Sequence, residues 1–482
     1  MKSRKLIFGL CLSMIFAMGC GKGTDITSVS SSVFDDPLPS YSKDQPKEKV
    51  VNFTNSDLNS EKDTEAKTDL NEKEKTDEEP EFLVLRDSVD ETLGCRVGCA
   101  VTGNEINDEK VWDIITTHFN AVTLGNELKP DCMFGYSNGT CPGKETVIFN
   151  GEELEVPKLN CTRADKMLDK FLEWNTEHPD REIKVRGHVL VWHSQTPEWF
   201  FHENYNKVAD YVDKDTMNKR LEWYISTILT YYTGENSKYK DLFYGWDVVN
   251  EAVSDGTGYR TEKENPNESL LSDTHGSNSS WWAIYQSNEY IINAFKYANK
   301  YAPESLELYY NDYNECSGSK QKTIVELLTA IKAEEGAPGE GTRISAMGMQ
   351  GHYGLESSNP SGSSVSSAMK AYCEVVGNVQ FTEVDLKTST AFEDTEEGIA
   401  DMNEKLRKRY SSLLFDINGA MLKDYVNLTG FTFWGTVDHY SWLQSRSNVG
   451  GGNTTSISQM PLLFDKDYNI KPCFYVFAKS KQ

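Results

Sequence analysis

Between residues 94 and 435 the chain repeats one pattern eight times: a short apolar, β-branched or aromatic run, then a longer stretch rich in charge. The runs are GCRVGCAV (94–101), FNAVTL (119–124), IKVRGHVLVW (183–192), LFYGWDVVN (242–250), LELYYND (306–312), ISAMGMQ (344–350), VQFTEVDL (379–386) and LTGFTFWG (428–435). Between them, 163–178 and 395–417 interleave charges with an apolar period near ~3.6, the helical repeat. Strands joined through helices run parallel and need cover on both faces. The architecture that closes after eight such units is the (β/α)8 TIM barrel. An open doubly wound sheet is the competing arrangement, but no Gly-rich phosphate turn follows the first strand. The expected fold is therefore α/β, a single TIM barrel over residues 82–482.

The first 81 residues do not follow this rhythm. Lys2, Arg4 and Lys5 precede an apolar run, Leu6 to Met18, that falls short of the ~20 residues a spanning helix needs. Residues 1–20 therefore read as an export signal. Its end, Ala17-Met18-Gly19-Cys20, resembles the lipobox of bacterial lipoproteins, which would make Cys20 the lipidated N-terminus. A plain cleavable signal is the alternative. Residues 21–81 carry few aromatics, and 61–80 hold nine acids and four lysines, too little apolar surface to offset ordering entropy. A disordered acidic linker is expected there, extended by self-repulsion or serving as a leader without a spacing role. The expected location is exported: held at the cell surface or membrane by the lipid, otherwise secreted.

The whole chain has 49 Lys and Arg against 74 Asp and Glu, a net charge of −25, which excludes a basic nucleic-acid face. Export permits disulfides. Of ten cysteines, Cys11 and Cys20 lie in the leader, and Cys132 with Cys141, flanking a turn-rich segment, is the pair expected to bond. The other six are expected as buried thiols. No short Cys or His spacing suits a metal.

In a TIM barrel the chemistry sits where the strands end. Strand four runs into DVVNEA and strand seven into TEVDLK, so Glu251 and Glu383 stand at two strand ends. Two carboxylates facing one cavity are what glycosidic cleavage requires: one protonates the leaving oxygen, the other meets the developing cation. The ordered set TLGNELKPD, RGHVLVWHSQTPEWF, WDVVNEA, NDYN, MGMQGHY, FTEVDLK, WGTVDHYSWL and PLLFDKDYNIKPCFY resembles the family-10 glycoside hydrolases, mainly endo-1,4-β-xylanases, over residues 90 to 479.

The resemblance implies a retaining double displacement with Glu383 as nucleophile and Glu251 as acid, then base. It also implies carboxyl groups about 5 to 5.5 Å apart. Asn250 matches the position that bonds the sugar 2-OH. His352 is expected to touch Glu383 and to be oriented by Asp385. Trp192, Trp434 and Trp442 would cover sugar faces, Tyr313 the leaving-group side, and Asn126, Lys129, His188, Gln195 and Gln350 would bond hydroxyls. His193 and Glu127 are assigned only to support of neighbouring loops. Neither metal nor organic cofactor is implied; xylan or xylo-oligosaccharide is the expected partner, with the membrane met only through the lipid and the chain a monomer.

One departure stands out. Many members have Glu-Asn before the x-x-Lys of the second-strand motif and Trp after the lysine; here the run is Gly125-Asn126-Glu127-Leu128-Lys129-Pro130, which puts glycone-side contacts in doubt. Segments 131–160 and 252–280 exceed minimal barrel loops and are expected on the catalytic face. Other readings are a retaining β-glycosidase trimming xylo-oligosaccharides or β-1,4-glucans, or a non-catalytic glycan-binding lipoprotein, whose mark would be a missing carboxylate.

Overall fold

Eight parallel strands pair in chain order until the last meets the first. They are β1 (Arg96–Val101), β2 (Ala121–Leu124), β3 (Lys184–Gly187), β4 (Phe243–Asn250), β5 (Glu307–Asp312), β6 (Ala346–Met349), β7 (Val379–Lys387) and β8 (Leu428–Phe433). Gly98 of β1 lies opposite Ala121 of β2 on one side and Thr432 of β8 on the other, which closes the ring. This is a computed structural model that describes residues 84–479 except 274, 357–359, 424–425 and 445–457. The expected signal, the acidic linker and Cys20 lie outside the described residues.

The strands are buried on both faces, as a parallel sheet wrapped by helices requires. All eight residues of β4 are buried. The wrapping helices are α2 (Glu109–His118), α3 (Thr162–Glu177), α4 (Lys214–Thr233), α5 (Glu289–Tyr301), α6 (Gly318–Ala333), α7 (Gly362–Val376) and α8 (Glu396–Lys423), preceded by α1 (Leu85–Leu93). The main core lies between strands and helices: Trp246 of β4 is fully buried and its ring lies 6.0 Å from Tyr232 of α4. Gly187 on the adjacent strand must be glycine, because a Cβ there would fall inside the Trp246 indole. Inside the ring a smaller cluster, Ala121, Tyr244, Tyr309 and Ala346, surrounds a buried ion pair. Arg186 Nη2 lies 2.5 Å from Asp247 Oδ1, and its guanidinium sits 4.0 Å over the Tyr309 ring.

Helix α1 closes the end of the barrel where strands begin. Arg86 Nη1 and Nη2 donate to the carbonyls of Arg181 and Glu182 just before β3, and the Lys479 N–H donates to Ser88 Oγ at 3.0 Å. Both ends of the described chain therefore meet on this floor.

Segment 131–160 is not an irregular loop. Lys144–Phe149 and Glu152–Pro157 form an antiparallel hairpin turning on Asn150 and Gly151, both at positive φ. It lies against α4, where Lys219 pairs with Glu152 at 2.6 Å and Asn150 Nδ2 donates to Glu222 at 3.2 Å. The expected Cys132–Cys141 disulfide is not formed: all eight cysteines among the described residues are free thiols. Cys132 faces the core from the short helix Pro130–Met133. Cys141 is drawn the other way, its N–H bonded to Tyr205 O and its thiol donating to Gly143 O at 3.0 Å.

Candidate active site

The strands end around a cavity of about 790 Å³. Parallel strands place every C-terminus on one face, so side chains far apart in sequence converge there. Asn126, Lys129, His188, Trp192, Gln195, Asn250, Glu251, Tyr313, Gln350, His352, Glu383, Trp434 and Trp442 all line it. Asp385 stands one layer behind.

Glu251 follows the last residue of β4 in a left-handed conformation, φ 55°, with its N–H bonded to Asn311 O at 2.9 Å. That turn carries its carboxyl over the cavity, where Trp192 Nε1 donates to Oε2 and Gln350 Nε2 to Oε1, both at 2.9 Å. Glu383 and Asp385 are two apart on β7 and share a face. Glu383 Oε1 accepts from Asn311 Nδ2 at 2.7 Å, and Oε2 lies 3.2 Å from His352 Nε2. Asn250 Oδ1 links the two glutamates: it accepts from Gln350 Nε2 at 3.2 Å and from Asn311 Nδ2 at 3.0 Å. The carboxyls at positions 251 and 383 are thus tied to one amide network.

His352 is held by both neighbours, its Nδ1 2.9 Å from Asp385 Oδ1, whose other oxygen accepts from Trp442 Nε1 at 2.7 Å. Burial alone would lower the imidazole, but Asp385 and Glu383 outweigh it and raise His352 to about 10, so the ring is cationic at neutral pH. Burial pushes the Glu383 carboxyl up, yet the His352 hydrogen bond, the charges of His188 and His352, and Asn311 bring it below its ordinary value. Gly351 makes this turn feasible: it sits at φ 77°, and a Cβ there would press against Val384 Cγ2 at 3.0 Å.

On the β2 side, Lys129 Nζ donates to Gln195 Oε1 at 3.0 Å and Asn126 Oδ1 at 3.3 Å, and lies 5.1 Å from the centre of the Trp192 ring. Burial lowers the ammonium, with Glu383 and Asp131 countering. His188 Nδ1 is fixed by Asp247 Oδ2 at 2.9 Å, and its ring stands 5.5 Å from that of Trp434. Trp192, Trp434 and Trp442 are each only partly buried, leaving ring surface toward the cavity. Glu127 faces away, accepting from the Gly103 and Asn126 N–H groups. His193 is buried in the cavity wall.

Several contributors were absent from the sequence reading. Asn311, which bonds Glu383, lies inside the NDYN motif, where its alternation with Asp312 at a strand end was a usable signal. Arg260 comes from segment 252–280: Nε donates to Glu251 O at 3.0 Å, Nη1 to Ser277 O and Nη2 to Tyr313 Oη, both at 3.1 Å. No periodicity marks it. Glu105 and Tyr440 also line the cavity. Of the two long segments, 252–280 supplies wall residues, whereas none of residues 131–160 does. Among the described residues no group of three or more His, Cys, Asp or Glu could hold a metal ion.

A sequence profile described as Glycosyl hydrolase family 10 matches residues 85–480. The chain is 32% identical over 381 residues to the bifunctional endo-1,4-beta-xylanase XylA of Ruminococcus flavefaciens, covering 79% of this chain and 32% of that protein. It is 30% identical over 383 residues to endo-1,4-beta-xylanase B of Paenibacillus barcinonensis, covering 79% of this chain and 93% of that enzyme. The chain thus spans about a third of the length of the bifunctional enzyme but most of the shorter one. Among solved structures, the CBM22-1 and GH10 modules of Clostridium thermocellum endo-1,4-beta-D-xylanase 10B, complexed with xylohexaose, align with TM-score 0.63 and 28% identity over 82% of this chain and 67% of that one.

Proposed function

Because the chain belongs to glycosyl hydrolase family 10, we propose that it is a retaining endo-1,4-β-xylanase acting on internal bonds of xylan. One observation carries the reading: a carboxylate held ionised by His352 and Asn311 shares a cavity and an amide network with a second carboxyl held by Trp192 and Gln350. The similar proteins named as xylanases, one solved with xylohexaose, support the choice of sugar.

The chemistry divides between the two acids. Glu383 attacks the anomeric carbon as the glycosidic C–O bond breaks, and Glu251 gives its proton to the departing oxygen. A negative charge on one carboxylate favours the proton on a close neighbour. Forming the ester removes that charge, and Glu251 then takes a proton from the water that displaces Glu383. Asn250, already accepting from two amides, stands ready for the 2-OH. Trp192, Trp434 and Trp442 present apolar faces to the sugar, and Lys129, His188, Gln195 and Asn126 reach its hydroxyls.

The test is Glu383→Ala on an activated aryl xyloside. Hydrolysis should fall roughly 10⁴- to 10⁶-fold, as for loss of a covalent nucleophile. Added azide should then yield a glycosyl azide of inverted configuration. A retained product at undiminished rate would remove Glu383 from its role. Turnover compared on xylan, cellulose and short aryl glycosides separates this reading from a β-glucanase or a trimming enzyme.

The leader reading extends the same proposal. Residues 1–20 are a signal ending at a lipidated Cys20, 21–81 a linker, and 82–482 the catalytic domain, which acts as a monomer at the cell surface. The lipobox-like Ala17-Met18-Gly19-Cys20 supports it. Mass spectrometry of the mature protein should find diacylglyceryl on Cys20; an unmodified terminus elsewhere would end the lipoprotein claim.

A further inference from the structure

Among the described residues three carboxylates line the cavity, and the mechanism uses two. The third, Glu105, sits in the single 3-10 turn Glu105–Asn107 that follows β1, only 4% exposed. Its Oε2 accepts from the Thr102 N–H at 2.7 Å and from Thr102 Oγ1 at 2.6 Å. Oε1 takes no donor from the described residues and is not sealed from the cavity. A half-satisfied, buried carboxyl is costly unless something else completes it. Beside it stands Tyr440, 37% exposed, an aromatic ring on the cavity wall. The ring is fixed from behind: Oη donates to Asp108 at 3.2 Å, an oxygen that Tyr468 also bonds, and His439 packs 4.0 Å away.

Gly125 leaves this corner open. A Cβ at that position would point at Thr102 Cγ2, 3.2 Å away, toward the residue that holds Glu105. A side chain at 125 would therefore enter the space beside Glu105, and in this chain the carboxyl arrives from the β1 turn instead of from the end of β2. The direction along the cleft follows from the acid. Glu251, with Tyr313 and Arg260 beyond it, marks the leaving-group side at β4 and β5, so the opposite side at β1, β2 and β8 receives the glycone.

We propose that Glu105 and Tyr440 form a distal glycone site, with one pyranose face on the Tyr440 ring and a ring hydroxyl bonded to Glu105 Oε1. The proposal deepens the xylanase reading and rests on it. A xylose unit has the required chemistry, adjacent hydroxyls on an edge and C–H groups on a face. Burial pushes the Glu105 carboxyl up to about 7, with the Thr102 donors opposing and the Glu127 charge adding to the rise. Near neutrality its free oxygen can thus donate or accept, as a sugar hydroxyl also does.

The full-length chain and its Glu105→Ala, Glu105→Gln and Tyr440→Ala variants should be assayed on xylohexaose and on 4-nitrophenyl β-xyloside, whose single sugar occupies only the central site. Loss of one hydrogen bond to an ionisable group corresponds to roughly tenfold. The Ala variants should raise KM for xylohexaose by about that factor with kcat little moved, and the loss in kcat/KM should exceed that on the short substrate at least fivefold. Glu105→Gln, which keeps an acceptor, should recover part of the loss. Equal losses on both substrates would show a structural role and overturn the proposal, as would variants matching wild type on xylohexaose. Wild-type protein cleaving neither substrate would instead overturn the xylanase reading, and this site with it.

Discussion

His352 sits between two carboxylates, and its charge sets the state of one of them. With the ring cationic up to about 10, Glu383 stays ionised below the usual carboxylate range. In the proposed mechanism a lowered Glu383 extends activity toward acid, because the nucleophile is lost only when that carboxylate gains a proton. His352→Gln removes the cation, so Glu383 should rise and the acid limb of kcat/KM should move up by about one pH unit. A pH–rate profile with an unmoved acid limb would show that His188 and Asn311 hold Glu383 ionised without His352. At this scale the sequence was most legible where a residue ends a strand. Glu251 and Gln350 directly follow β4 and β6, His352 comes two residues after Gln350, and Glu383 lies within β7 facing the same cavity, because a barrel sends every strand end to one rim. Arg260 lies 9 residues beyond Glu251 in a stretch without period or motif, and it reaches the Glu251 carbonyl only because the tertiary fold returns it there.

Two insertions of similar length have different uses. Segment 252–280 folds back over the rim and brings Arg260 and Ser277 to the wall, whereas the hairpin at 144–157 lies on α4. Replacing residues 144–157 with a short turn should therefore leave kcat/KM on xylan within about twofold while costing about 2–4 kcal/mol, since it removes the fully buried Val156 and the carbonyl that accepts from Tyr205 Oη, beside ion pairs that are individually weak. Parallel assays of activity and urea midpoint check this; a large drop in activity would mean the hairpin touches substrate. The hairpin was readable in the sequence: Asn150-Gly151 between alternating residues is a strong two-residue turn signal, and the expectation of a long segment on the catalytic face overlooked it. The missing disulfide has a similar origin. Spacing brought Cys132 and Cys141 near each other along the chain, but the Thr140 to Asn206 bridge and the Tyr205 carbonyl pull Cys141 to another surface.

The barrel as a whole was legible because the pattern carries both period and count: eight β runs, with helices between, leave a ring as the way to bury every strand. Its interior was less so. The Arg186–Asp247 pair joins β3 to β4, reaches Gln380 of β7, and positions His188 at the cavity floor. Breaking such a pair strands a charge in a low-dielectric interior. Asp247→Ala should cost about 3–5 kcal/mol of stability, read as a lowered denaturant midpoint. A loss below about 1 kcal/mol would show that the pair is not what the centre rests on. The floor helix α1 has a different consequence. Residue 84 leaves the barrel at its base, where Arg86 ties the helix to the start of β3 and Ser88 to Lys479. A solid support coupled directly at residue 84 would thus hold the barrel by the face opposite the groove, leaving the rim open to a long, rigid polysaccharide.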